Sequence, residues 1–324
     1  MAKPCGNTNA ANEPRRRLPD VIRAYTHPAC LQHDPGPGHA ERSERLRVVL
    51  QALERALPDL DWHQAPRASR GQLLRVHTES LLQTVLDTRP QQRIDLDADT
   101  RLGPGSAEAA LRAAGAGIAA VDAVLHGHVQ RAFCAVRPPG HHATAASAMG
   151  FCLFNNVAVA AAHALDAHGL ERVVIADFDV HHGNGTQAIF ANDPRVRYVS
   201  THQWPLYPDT GARNETGCGN IANVPLPPGT TGAAFLAAWQ ETLLPFLDAF
   251  RPQLVLISAG FDGHRLDPLA QWALEAEDYA RLTRALVAVA DRHAGGRVVS
   301  LLEGGYHLQA LAESCVAHVQ ALVF

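Results

Sequence analysis

The sequence predicts a single α/β domain built on a parallel sheet with helices on both faces. Three observations carry that expectation. Short apolar runs rich in β-branched residues fall near 132–136, 172–176, 196–200, 254–258 and 297–302. They lack the in–out alternation of a half-exposed strand, as fully buried parallel strands do. Longer stretches with helical periodicity separate them, so strands and helices alternate. Neither an internal repeat nor a linker interrupts the pattern.

Residues 1–20 are polar and Asn-rich, and Arg15-Arg16-Arg17 is not followed by an apolar run. They are expected to form a disordered leader rather than an export signal, with the domain over 21–324. A first strand is expected at Val21–Tyr25, followed by a His-, Pro- and Gly-rich loop. From Glu41 to Leu57, Leu46, Val49, Leu50, Leu53 and Leu57 recur at helical spacing. A second helix is expected from about Glu79 to Asp87, then a polar surface loop over Pro90–Pro104. Ser106 is placed to cap an Ala-rich helix that runs to Leu125. Further helices are expected near 156–168, 232–249, 277–293 and 308–322.

A chain of 324 residues with 47% hydrophobic and 19% charged residues can bury a sizeable core. A net charge of -4 argues against a general nucleic-acid surface. The six cysteines are scattered and none forms C-x-x-C, which favours free thiols in a reducing, cytoplasmic setting. No apolar run reaches membrane-spanning length. Two G-x-G-x-x-A matches, from Gly115 and Gly217, do not join a strand to a helix, and there is no P-loop.

Ligands of open parallel sheets bind where the strands end at their carboxyl sides, because loops meet there. The residues at those positions are reactive. After 132–136 comes Arg137-Pro138-Pro139-Gly140-His141-His142; after 172–176 come Asp177, Asp179 and His181. These last three are spaced by two, so a continuing strand would point them the same way. After 254–258 come Asp262 and Asp267, and after 297–302 come Glu303 and Tyr306. Asp179, His181 and Asp267 form a candidate three-ligand site for one Zn2+ or similar ion, with a position left open for water and substrate. His141 and His142 are candidates for general acid–base work, with Asp177 orienting the first and Asn184 the second. Tyr306 is a candidate donor to a developing oxyanion.

Arg137-Pro-Pro-Gly-His-His142, Asp177-Phe-Asp-Val-His-His-Gly-Asn-Gly-Thr186, Gly260-Phe-Asp through Asp267-Pro268, and Glu303-Gly-Gly-Tyr306 together resemble the zinc-dependent histone deacetylase and acetylpolyamine amidohydrolase family. The likeness spans roughly residues 21–324, and Asn184, Tyr306 and the run from His202 to Tyr207 make it similar to the class II branch and its bacterial relatives. The resemblance implies the three-layer arginase–deacetylase fold and one zinc per chain, at Asp179, His181 and Asp267. It implies that His142 is the main base and His141 its electrostatic partner. Phe151 and Tyr207 match the aromatic walls of an acyl-lysine channel, Gly150 the acceptor of the amide N–H, and Leu274, seven after the third ligand, an apolar rim residue of lysine deacetylases. An acid at the rim would have suggested polyamines. The resemblance also implies a potassium ion at Asp177, Asp179, His181 and Ser200, and a second monovalent cation near Phe190, Asp193 and Val196.

There are departures from the family pattern. His39-Ala40-Glu41 stands for His-Pro-Glu, and Asp209 replaces a glycine, adding negative charge near the channel mouth. Gly183 stands where arginases carry a metal-bridging Asp, which favours one metal. The resemblance implies removal of acetyl or other acyl groups from lysine side chains of proteins or peptides. Hydrolysis of acetylated polyamines or other small amides is the alternative, and a non-catalytic acyl-lysine reader is a third reading. No nucleic-acid or membrane partner is expected.

Overall fold

The computed structural model describes residues 21–323; the leader expected over residues 1–20 lies outside them. Eight strands form one sheet: β1 (Ile22–Thr26), β2 (Asp61–Gln64), β3 (Arg131–Cys134), β4 (Val173–Asp177), β5 (Val196–Gln203), β6 (Ile221–Leu226), β7 (Leu254–Ala259) and β8 (Val298–Leu302). Their order in space is β2-β1-β3-β8-β7-β4-β5-β6, with every neighbouring pair parallel. Every residue of β3, β4, β7 and β8 is buried, which is why these strands read as unbroken apolar runs.

The two edge strands were not anticipated, and their sequences show why. β2 is Asp-Trp-His-Gln, polar and half-exposed. β6 contains Pro225, a residue that an edge strand tolerates and a central one does not. The polar loop over 90–104 folds on itself through a two-residue antiparallel ladder, Ile94–Asp95 with Arg101–Leu102.

The helices used below are α1 (Ser43–Ala56), α2 (Ser106–Leu125), α3 (Asn156–His168), α4 (Asn184–Phe190), α5 (Ala276–His293) and α6 (Leu308–Val323). The helix expected over 232–249 occurs as Gly232–Ala238 and Leu244–Phe250, joined through a wider turn. α3 starts where the Asn155 side chain accepts from Ala158 N and ends at Gly169 with φ 67°, the capping pair that polar Asn and left-handed Gly supply.

The helices pack as two groups, α2 with α3 and α1 with α6 and α5. β8 shows that these groups cover opposite faces. The Ser300 hydroxyl meets His318 of α6, whereas the next residue, Leu301, lies against Gly117 of α2; side chains on a strand alternate. His318, whose position suggests a surface residue, is fully buried, as His33 and His163 nearly are. The Thr283 hydroxyl donates to Tyr279 O, so His318 Nδ1 donates to Thr283 Oγ1 at 2.6 Å and its Nε2 accepts from Ser300 at 2.8 Å. Burial pushes this imidazole down to about 3, so it stays neutral and ties α5, α6 and β8 together.

Candidate active site

The reactive loops leave β3, β8, β7 and β4, which are adjacent in the sheet, so residues far apart in sequence reach one spot. β4 stops at Asp177. The convergence of Asp177, Asp179 and His181 is therefore a property of the loop rather than of strand alternation. Asp177 Oδ1 accepts from Asp179 N at 3.2 Å, and Asp179 Oδ1 from His181 N at 2.9 Å. Each aspartate thus holds the backbone two residues on, as Asx turns do, while Phe178 and Val180 pack into the core.

Asp179, His181 and Asp262 offer ligand atoms that lie within 4.8 Å of one another, all buried. His181 Nδ1 is 3.1 Å from both Asp179 Oδ1 and Asp262 Oδ2. Burial opposes a charged imidazole there, but the two carboxylates outweigh it and lift His181 to about 10. An imidazole and two carboxylates this close form a donor set that fits a divalent cation.

Asp267, the third ligand expected from the sequence, stands outside this cluster but keeps acceptor capacity for a metal. Its Oδ2 accepts from Tyr306 N at 2.7 Å and His307 N at 3.3 Å, and its Oδ1 from Leu269 N at 3.0 Å, which orients the carboxylate and steadies the backbone that carries Tyr306. Leu274, the expected rim residue, is fully buried and packs beside Gly263, whereas Leu269 lines the cavity.

That cavity holds about 230 Å³ and is lined by Asp99, His142, Gly150, Phe151, His181, Leu206, Tyr207, Leu269 and Tyr306. Phe151 lies edge-on to Tyr306 at 5.8 Å between ring centroids, and Tyr207 edge-on to His142 at 5.2 Å. Gly150 has φ 56°, and a Cβ there would come within 2.5 Å of the His142 ring. Only glycine lets the channel wall approach that imidazole. Asp209 is exposed and is not among the lining residues; the acid at the mouth is Asp99, from the loop that looked merely polar.

The histidine pair is held as its sequence context suggested. His141 Nδ1 lies 3.0 Å from Asp177 Oδ2, and His142 Nδ1 2.8 Å from Asn184 Oδ1. Burial disfavours charge on both rings. At His141, Asp177 and Asp179 overcome it and raise the group to about 10. At His142, burial and the neighbouring His141 and His181 charges outweigh Asp179 and drive it well below the usual range. Asn184 Nδ2 points at Met149, so its oxygen accepts from His142 Nδ1. This leaves Nε2 with a free lone pair. Burial keeps the Tyr306 phenol protonated.

Several supporting residues carry no local sequence signal. Arg45, on α1, stacks its guanidinium 4.8 Å from the Tyr306 ring centroid and donates to Gly305 O and Glu303 O, both at 2.5 Å. Glu41 pairs with Arg45 and Arg137, all three fully buried. Glu303 accepts from Gly140 N at 2.6 Å and His141 N at 3.2 Å, which seats the histidine loop. Contacts such as Arg45 with Gly305 and Glu303 with Gly140, 260 and 163 positions apart, become visible only in the fold.

The expected monovalent-cation positions differ. Among the described residues nothing donates to the carbonyl oxygens of Asp179 or His181, while Ser200 Oγ meets His202 Nδ1 at 3.0 Å. The carbonyls of Phe190, Asp193 and Val196 do converge, but on the side-chain amide of Asn220.

Known proteins resemble this chain over most of its length. A family model described as the histone deacetylase domain matches residues 39–322. A histone deacetylase-like amidohydrolase of Pseudomonas aeruginosa is 41% identical over 301 residues, covering 86% of this chain and 79% of that protein. The human polyamine deacetylase HDAC10 is 42% identical over 301 residues, covering 87% of this chain and 44% of that protein. A crystal structure of the HDA15 HD domain superposes with a TM-score of 0.89 at 36% identity, covering 94% of this chain and 88% of that one. The sheet and its helices are thus the arginase–deacetylase fold, and the chain belongs to the histone deacetylase family.

Proposed function

We propose that this protein is a zinc-dependent amidohydrolase that removes acetyl or other acyl groups from lysine side chains of proteins or peptides. The observation that carries the reading is the narrow cavity lined by His142, His181 and Tyr306, with the buried acids Asp179, Asp262 and Asp267 near His181. A divalent cation held by Asp179, His181 and Asp267 would supply a Lewis acid that polarises the amide carbonyl and acidifies water.

The chain's own groups then have separable tasks. Phe151, Tyr207 and Leu269 grip an extended aliphatic stem and exclude water from it. The Gly150 carbonyl accepts the amide N–H. His142, neutral with Nε2 free, takes the proton of the attacking water and delivers it to the departing amine. His141, paired with Asp177, stays charged beside it and steadies negative charge. The Tyr306 phenol donates to the carbonyl oxygen as charge builds there.

Leu269 at the rim favours a neutral stem over a polycation. A second reading, hydrolysis of acetylated polyamines by the same groups, is favoured by Asp99 at the mouth and by the likeness to HDAC10. Turnover on acetyl-lysine peptides, longer acyl-lysine peptides and acetylputrescine, measured side by side with metal content, separates the readings. Higher kcat/KM on acetylputrescine than on every peptide would reverse their order. A potassium ion is proposed at Asp177, Asp179, His181 and Ser200, where the buried carbonyls of Asp179 and His181 lack other partners.

A further inference from the structure

The turn between α4 and β5 brings the carbonyl oxygens of Phe190, Asp193 and Val196 to one point, and that point holds Asn220 Nδ2. The amide nitrogen lies 2.8 Å from Phe190 O, 3.0 Å from Asp193 O and 2.9 Å from Val196 O. Asn220 is 4% exposed. Its other polar atoms are engaged as well: Oδ1 accepts from Cys218 N at 3.2 Å, and its backbone oxygen accepts from Tyr198 N at 3.1 Å.

Three carbonyl dipoles aimed at one buried point need positive charge or donors in the middle. An ion is one solution, and a terminal amide with two hydrogens is another. The two exclude each other here. A cation could enter only by expelling the Asn220 side chain, and the turn around it is tight: at Gly217, with φ 57°, an added Cβ would fall 2.5 Å from Asn220 Oδ1. Expulsion would also strand a buried amide without partners.

We infer that Asn220 replaces the second monovalent cation in this chain, so that an uncharged amide ties the end of α4 to the starts of β5 and β6 and no ion is required there. The inference is independent of the substrate and of the potassium ion proposed beside Asp177.

Crystals of the full chain and of Asn220→Ala, each grown with rubidium as the only monovalent metal cation, would test it by anomalous scattering. The wild type is expected to show no peak among the Phe190, Asp193 and Val196 carbonyls. Asn220→Ala is expected to show one, and its melting temperature should rise with rubidium or potassium chloride over choline chloride by more than that of the wild type. A wild-type peak at that point, with the Asn220 side chain displaced, overturns the inference. So does an Asn220→Ala protein that folds but gains neither the peak nor the extra cation response. If Asn220→Ala does not fold, the wild-type map decides alone. A peak beside Asp177 bears only on the other ion.

Discussion

Asp262 and Asp267 leave β7 on the same loop, five residues apart, and both are buried, yet their surroundings divide them. Asp262 accepts one backbone N–H, from Val180, and turns its other oxygen to His181 Nδ1. Asp267 has both oxygens engaged by backbone amides, those of Leu269, Tyr306 and His307. A carboxylate offers about four acceptor sites, so three backbone donors orient Asp267 and leave Oδ1 a lone pair for a metal. Pairing with His181 and steadying the Tyr306 backbone are separate tasks for two chemically identical residues.

The contrast breaks first at the metal. Asp267→Ala leaves two ligands, so zinc content measured by plasma emission is expected to drop to a small fraction and deacetylation to background. Asp262→Ala is expected to keep more of its zinc. Full zinc retention in Asp267→Ala would remove that residue from the ligands.

Next in size is Tyr306→Phe. Removing one donor to a developing oxyanion costs about 10²–10³-fold in kcat, and full zinc occupancy should persist. A drop in metal equal to the drop in rate would make Tyr306 a structural residue.

How far this was legible in the sequence depends on whether a signal was local. Val173–Ala176 and Leu254–Ile257 announce buried strands by composition. The tandem His141-His142 and the Asp177, Asp179, His181 series announce chemistry by density in short loops. Asp267 is legible through its Asp-Pro motif, since it stands eight residues beyond β7, whereas Asp179 stands two beyond β4. Arg45 and Asn220 have no such signal. Their meaning comes from carbonyls and rings that the fold brings from distant segments.

Leu269 lines the cavity, whereas Leu274, the expected rim residue, is fully buried. Leu269→Glu should therefore change selectivity, and Leu274→Glu should simply damage the core. An acid at the cavity wall is expected to shift the ratio of kcat/KM for acetylputrescine over an acetyl-lysine peptide by about tenfold toward the cation, equal to about 1.4 kcal/mol of differential binding. An unchanged ratio would remove Leu269 from the specificity determinants.

The smallest expected difference is a single proton. In the metal-free chain His181 is raised to about 10, burial being outweighed by Asp179 and Asp262. Asp262 is raised to about 7 by burial and by Asp179. His181 must be deprotonated to bind metal. Between pH 7 and 10 it gives up that proton, so affinity should rise about tenfold per pH unit. Calorimetry of zinc binding in two buffers of different ionisation heat counts the proton released. A count of zero across this range would show that His181 is not the group that gives it up.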